Sequence, residues 1–276
     1  MVATANVIYV VTIVLYSLSV LGYFLDFLQS NRKVNKIAFW LLSIVWILQT
    51  LFFIIRAVQY DRLPVITPFE GLFFYAWLLV TLSLIINWSF RVDFLVFFTN
   101  VVGFIIMSFS LFAPSGDVPD QLTDLLISEL LVIHVSFILL SYAAFTLAFV
   151  FSVLYMFQHQ LLKQKQWGKR LLRMENLPKM ERLTFVMTTF GFPFLLIGLI
   201  LGFVWASTQL NALPILDAKV LGSIAILILY GIYLYLWVVK HQRGYSMAYL
   251  NVAGFLVVLI NYFLFGQLTE FHLWDE

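Results

Sequence analysis

Four histidines stand in this chain of 276 residues, and two of them carry most of the chemistry it can offer. His134 sits a few residues inside the apolar run LLVIHVSFILLSYAAF, and His272 sits in the terminal FGQLTEFHLWDE. An ionisable group that deep in an apolar run is costly unless it has a partner or lines a cavity, so it marks a functional-site hypothesis. On its own helix, Leu130, Leu131, Phe137, Ile138 and Ser141 would supply little polar compensation. A neutral His134 hydrogen-bonded to a neighbouring helix is the plainer alternative. Two neutral imidazoles can ligate a metal or a haem iron from opposite sides, and His134 with His272 would form such a pair if folding brings them together. Glu70, in TPFEGLFFYAWLLV, is a third candidate: its carboxylate can cap a helix N-terminus or line a site. His159 and His241 lie beside basic residues at the ends of apolar runs and read as interfacial.

The elements that must position these groups follow from the charges. Cut at its charged residues, the chain yields eight apolar spans, about 5–29, 38–55, 69–88, 94–113, 130–157, 184–206, 219–239 and 248–266. Each is long enough, at ~1.5 Å per residue, to cross a hydrocarbon core about 30 Å thick. With 63% hydrophobic and 11% charged residues, a soluble globular protein is excluded. The sequence predicts an all-α, polytopic membrane helix bundle forming a single integral membrane domain over 1–276. Of the 16 Lys and Arg, 13 fall in the loops after spans one, three, five and seven. The positive-inside rule then puts both termini outside the cytoplasm, N-out and C-out, and segment 158–183 inside. Span one lacks a basic n-region and a small-residue cleavage site, so it reads as a retained span.

Segment 158–183 carries Lys163, Lys165, Lys169, Arg170, Arg173, Lys179 and Arg182 among leucines. It reads as a lipid-anchored connector or as a docking surface for a cytoplasmic protein, with Pro178 breaking its helix before span six. The acidic loop with Asp117, Asp120, Asp124 and Glu129 reads as solvated. In span six, Gly198 and Gly202 make a GxxxG step that allows close helix approach, and Pro193 frees a backbone carbonyl. The chain has no cysteine, which excludes disulfides, thiolate metal sites and covalent c-type haem attachment to it. No nucleic-acid motif is present. No nucleophile–base pair or nucleotide loop stands out, so a binding or regulatory protein is expected, not an enzyme.

Three stretches resemble the membrane haem-handling proteins of cytochrome c assembly, the CcsA and CcmC group, and within it the HemX-type proteins. Glu70 to Trp77 is similar to the family's E-x-L-x-F-x-x-W opening. His134 to Gln160 resembles its H-V-S-x-x-x-x-x-Y-A-x-F run into a basic loop. Leu177 to Tyr235, continued through Arg243-Gly244 and GFLVVLINYF to His272, is the strongest stretch. The resemblance covers roughly 65–276. It implies that His134 and His272 are outward ligands of a haem iron, with haem b as cofactor and Glu70, Trp205 and Asp217 near it. It also implies a bacterial plasma-membrane protein that limits the level of glutamyl-tRNA reductase and so controls haem synthesis. Lys163, Lys165, Lys169, Arg170 and Arg173 would meet that enzyme or a factor controlling it. Membrane lipid and other haem-handling membrane proteins complete the expected partners.

The chain departs from the cytochrome assembly members in one place. Their motif W-G-x-x-W-x-W-D-P-K-E falls on Leu210 to Val220, where Asp217 and Lys219 remain and all three tryptophans are replaced, by Leu210, Pro214 and Leu216. These cannot stack on a porphyrin as indoles do, which argues against the alternative function, haem delivery for cytochrome c maturation.

Overall fold

The computed structural model describes residues 2–90, 93–113, 129–165, 174–209 and 215–264. Among them lie eight helices: α1 (Val2–Gln29), α2 (Arg32–Tyr60), α3 (Pro68–Phe90), α4 (Asp93–Phe109), α5 (Glu129–Lys163), α6 (Leu177–Gln209), α7 (Ala218–Val238) and α8 (Tyr245–Phe263). Seven are long and apolar enough to cross a membrane; α4, at 17 residues, is shorter than the predicted 94–113. It ends early because the chain tightens into i→i+3 bonds, Leu111 N–H to Ser108, Phe112 N–H to Phe109 and Ala113 N–H to Ser110. The helices pack as two compact units, α1–α4 and α5–α8.

Along α1, in the first unit, the usual distribution of polar and apolar side chains is inverted. The buried stripe of α1 is Tyr9, Thr12, Tyr16, Ser19, Tyr23 and Asp26, while Val10, Val14, Leu18 and Leu21 are exposed. The alternating three- and four-residue steps keep one seam against its neighbours. An apolar exterior on this scale fits lipid and not water. Hydrogen bonds then hold the helices together: Tyr16 Oη donates to Asn100 Oδ1 at 3.0 Å, and Asn100 Nδ2 donates to Ser83 Oγ at 3.0 Å. Trp46 Nε1 donates to Thr81 and Trp77 Nε1 to Thr50, a reciprocal pair between α2 and α3. Helix packing in lipid has no hydrophobic driving force of its own, so such bonds and close packing replace it.

In the second unit α5 and α6 form a long antiparallel pair, and three glycines of α6 act as sockets. A Cβ at Gly191 would meet the Phe145 ring at 2.6 Å, one at Gly198 would meet Ile138 Cδ1 at 2.6 Å, and one at Gly202 would meet His134 Cε1 at 2.7 Å. The GxxxG step therefore admits side chains from α5 as much as it brings backbones together. Phe145 stacks on Tyr230 of α7 at 3.8 Å, and Asn261 Nδ2 of α8 donates to Tyr142 Oη at 2.8 Å and to Ser223 Oγ at 3.1 Å. With 35 and 33 residues, α5 and α6 are roughly 50 Å long and outreach a hydrocarbon core of about 30 Å. They extend into what the sequence read as loop. Pro178, expected to break a helix, lies in the first turn of α6, where its missing N–H removes no intrahelical bond. At the other end of α6's partners, Gly244 opens α8 with φ of 95° and its N–H donates to Glu181 of α6 at 2.5 Å. A side chain at that φ would be strained, so Gly244 is required there.

Candidate functional site

His134 lies in the second turn of α5, half-buried against α6. Its Nδ1 is 2.6 Å from the carbonyl oxygen of Gly198. A carbonyl oxygen can only accept, so Nδ1 carries the hydrogen and the neutral ring keeps its lone pair on Nε2. The oxygen has two lone pairs, so it can serve the imidazole while α6 continues unbroken past Gly198. The ring sits against Gly202, where a Cβ would stand 2.7 Å from Cε1 and 2.9 Å from Nδ1. Two features of α6 thus fix the imidazole: an acceptor that sets the tautomer and a missing side chain that makes room. Among the described residues no partner engages Nε2. A histidine oriented through Nδ1 to a backbone carbonyl is the usual arrangement of a metal-ligating imidazole.

Trp205 continues the same stripe of α6, three residues beyond Gly202 and seven beyond Gly198, and is buried. Asp217 caps α7: its Oδ1 accepts from the backbone N–H of Lys219 at 2.9 Å and of Val220 at 3.3 Å. The carboxylate that survives from the tryptophan-rich motif is thus tied into the start of a helix. His272, the expected second ligand, lies outside the described residues.

Glu70 belongs to the first unit and is 2% exposed. Thr67-Pro68-Phe69-Glu70 forms a capping box: Glu70 N–H donates to Thr67 Oγ1 at 3.2 Å, and Thr67 N–H donates back to Glu70 Oε2 at 3.2 Å. Ile66 N–H adds a bond to the same oxygen at 3.1 Å. Arg62 grips both carboxylate oxygens, at 2.9 and 3.3 Å, and Arg56 approaches Oε1 at 3.5 Å. Sequence reasoning offered the cap as one reading of Glu70. It missed the two arginines, which come from the end of α2 and the following turn. The signals were available: Thr and Glu three apart around a proline mark a capping box, and an arginine inside the apolar run of α2 calls for a buried partner.

Of the expected basic docking residues, Lys163 and Lys165 are exposed at the end of α5. Lys169, Arg170 and Arg173 lie outside the described residues, as do Asp117, Asp120 and Asp124 of the acidic loop.

The family of cytochrome C assembly proteins matches residues 65–273. Protein HemX of Bacillus subtilis (strain 168) is 53% identical over 261 residues, covering 95% of both chains. Protein HemX of Brevibacillus brevis is 45% identical over 267 residues, covering 97% of both. Cytochrome c biogenesis protein CcsA of Guillardia theta is 25% identical over 273 residues, covering 91% of this chain and 90% of its own. The apolar helices and these relatives make this a multi-pass protein of the bacterial plasma membrane. A match from residue 65 nearly to the end, with near-full-length identity above one half to a HemX protein, shows that the chain belongs to the cytochrome c assembly family and to its HemX type.

Proposed function

We propose that this protein binds haem b through His134 and His272 and uses that site to control haem synthesis, lowering the level of glutamyl-tRNA reductase. One observation carries the reading: Gly198 and Gly202 hold the His134 ring in the tautomer whose Nε2 lone pair is free. A purely structural histidine in lipid would be expected to satisfy both nitrogens. The residues fit the group, since a neutral, oriented imidazole is an axial haem ligand and the buried Trp205 supplies a flat aromatic face on the same stripe. Bound haem would supply an iron centre and a signal of haem supply. His272 is the second ligand in this reading, with Asp217 contributing through the helix end it caps.

The distribution of basic residues supports an outer position for His134 and a cytoplasmic one for the opposite end of α5. Between His134 and Lys163 that helix advances about 44 Å, so one rigid element would carry the haem ligand and, with Lys163 and Lys165, the start of the docking surface. Lys169, Arg170 and Arg173 extend that surface towards the reductase or a factor that governs it. Other haem-handling membrane proteins are the remaining partners. The loss of the three tryptophans favours this regulatory role over haem delivery.

The deciding experiment is a visible absorption spectrum of the purified protein, oxidised and reduced, after haem addition. We expect a low-spin Soret and α-band pattern that is lost in both His134→Ala and His272→Ala. Spectra unchanged by either substitution would sink the site.

A further inference from the structure

Outside the His134 site, the first unit buries a charge imbalance. Two guanidiniums, Arg56 and Arg62, face one carboxylate, Glu70, with side-chain exposures of 14%, 7% and 1%. Among the described residues, Glu70 is the one carboxylate within ion-pair distance of either arginine; Asp61, in the turn between them, pairs with neither. Among the described residues the cluster therefore carries one positive charge more than its carboxylates balance.

The two arginines are used differently. Arg62 spans both oxygens of Glu70 and also donates to the carbonyl of Leu63 at 3.3 Å. Arg56 makes only the 3.5 Å approach to Oε1 and no hydrogen bond to any described residue. Its charge is instead surrounded by aromatic rings, with Cζ 4.9 Å from the Phe69 centroid, 5.4 Å from Tyr60 and 5.5 Å from Phe52. Cation–π contacts stabilise the charge but accept none of the five N–H donors in the plane of the fork. Behind the fork, Tyr9, Phe52, Phe69 and Phe73 form a packed aromatic floor. Arg56 continues the buried stripe of α2 after Val45, Gln49 and Phe52, on the face opposite the exposed Ile54 and Val58, while Leu63, next to Arg62 in the chain, is exposed. The cluster lies where α2 ends and α3 begins, the level at which an apolar span gives way to headgroups.

We propose that Arg56 and Arg62 form a receptor for the oxyanion headgroup of a membrane amphiphile. A phosphate or carboxylate would take the open N–H groups of Arg56 and neutralise the surplus charge, while the apolar body extends from the headgroup level into the surrounding lipid. Arginine's planar fork suits either anion, since both present paired oxygens. This inference stands apart from the haem reading, because it uses none of the residues of the second unit.

The test compares wild type with two variants whose effects must run in opposite directions. Arg56→Gln removes the surplus charge and leaves the Arg62–Glu70 pair and the capping box in place. Glu70→Gln keeps a capping side chain at that position and raises the surplus from one charge to two. Each protein is purified and exchanged into phosphatidylcholine nanodiscs. Retained phosphatidylglycerol is then measured by native mass spectrometry, and binding of protoporphyrin IX is compared with that of its dimethyl ester. We expect retention of the anionic probe to fall at least about tenfold in Arg56→Gln and to rise in Glu70→Gln, a pair of changes that misfolding cannot produce. Preference for phosphatidylglycerol over phosphatidylcholine identifies a lipid phosphate as the occupant. Preference for the porphyrin diacid over its diester identifies a carboxylate. Equal retention of anionic and neutral probes by wild type, or the same retention in wild type and Arg56→Gln, overturns the proposal.

Discussion

Glu70 and His134 are both ionisable groups set among apolar helices, one buried and one half-buried, yet the protein treats them in opposite ways. Around Glu70, two backbone N–H groups and two guanidiniums converge on the carboxylate, and Thr67 satisfies the residue's own N–H. Around His134, one ring nitrogen is bonded and the other engages no described residue. A fully bonded group is fixed and has nothing left for a ligand. A half-bonded one is oriented and still has a lone pair. The contrast separates a residue that builds the fold from one suited to bind, although the sequence made both look like candidates. It also moves the open valence at the first site from Glu70 to Arg56.

Substitutions can break this contrast. The largest effect on stability is expected from Glu70→Ala, which strands two guanidiniums and uncaps α3. Losing one partner of a buried ion pair costs about 3–5 kcal/mol, so the thermal midpoint in detergent should drop sharply while any haem spectrum of the surviving protein stays unchanged. Gly202→Ala comes next. Overpacking costs about 1–3 kcal/mol, and the new methyl displaces the His134 ring, so the low-spin bands should weaken. Gly191→Ala is the control, because its Cβ would press on Phe145 at 2.6 Å and leave the imidazole alone. Equal spectra in the two glycine variants would end the idea that Gly202 seats the ligand. The smallest effect belongs to Asp217. Asp217→Asn preserves a good N-cap and should change stability by well under 1 kcal/mol, whereas Asp217→Ala should cost about 1 kcal/mol. A spectral change in Asp217→Asn would show that this carboxylate meets the porphyrin as well as capping α7.

The helices were legible because lipid solvation is a coarse filter: a run of apolar residues between charges has few other fates. Their ends were less so. The span predicted over 184–206 lies inside a helix that starts at Leu177, because the polar turn at Lys179–Arg182 is helical although too charged for the hydrocarbon core. The span predicted to 113 stops at Phe109, because Ser110 bonds to Tyr9 of α1 at 2.6 Å and draws the chain into a tighter turn. At the site, the depth of His134 could be read from its neighbours in sequence. Its seat could not, since Gly198 and Gly202 lie 64 and 68 positions away. The polar stripe of α1 was readable in principle from its three- and four-residue spacing. It was obscured because tyrosine, threonine and serine do little to break an apolar run.

That stripe has a consequence in time. Tyr16 finds its acceptor 84 residues later, at Asn100, and Tyr9 meets Ser110 101 residues later. At a synthesis rate of roughly 5–20 residues per second, α1 sits in the bilayer for several seconds, up to about 20, before α4 exists. Over that interval the hydroxyls of Tyr9 and Tyr16 must make do with lipid headgroups, stray water or their own backbone. The helix α1 is therefore made well before it can settle, and a nascent chain arrested before Asn100 would present that polar face to any other helix within reach.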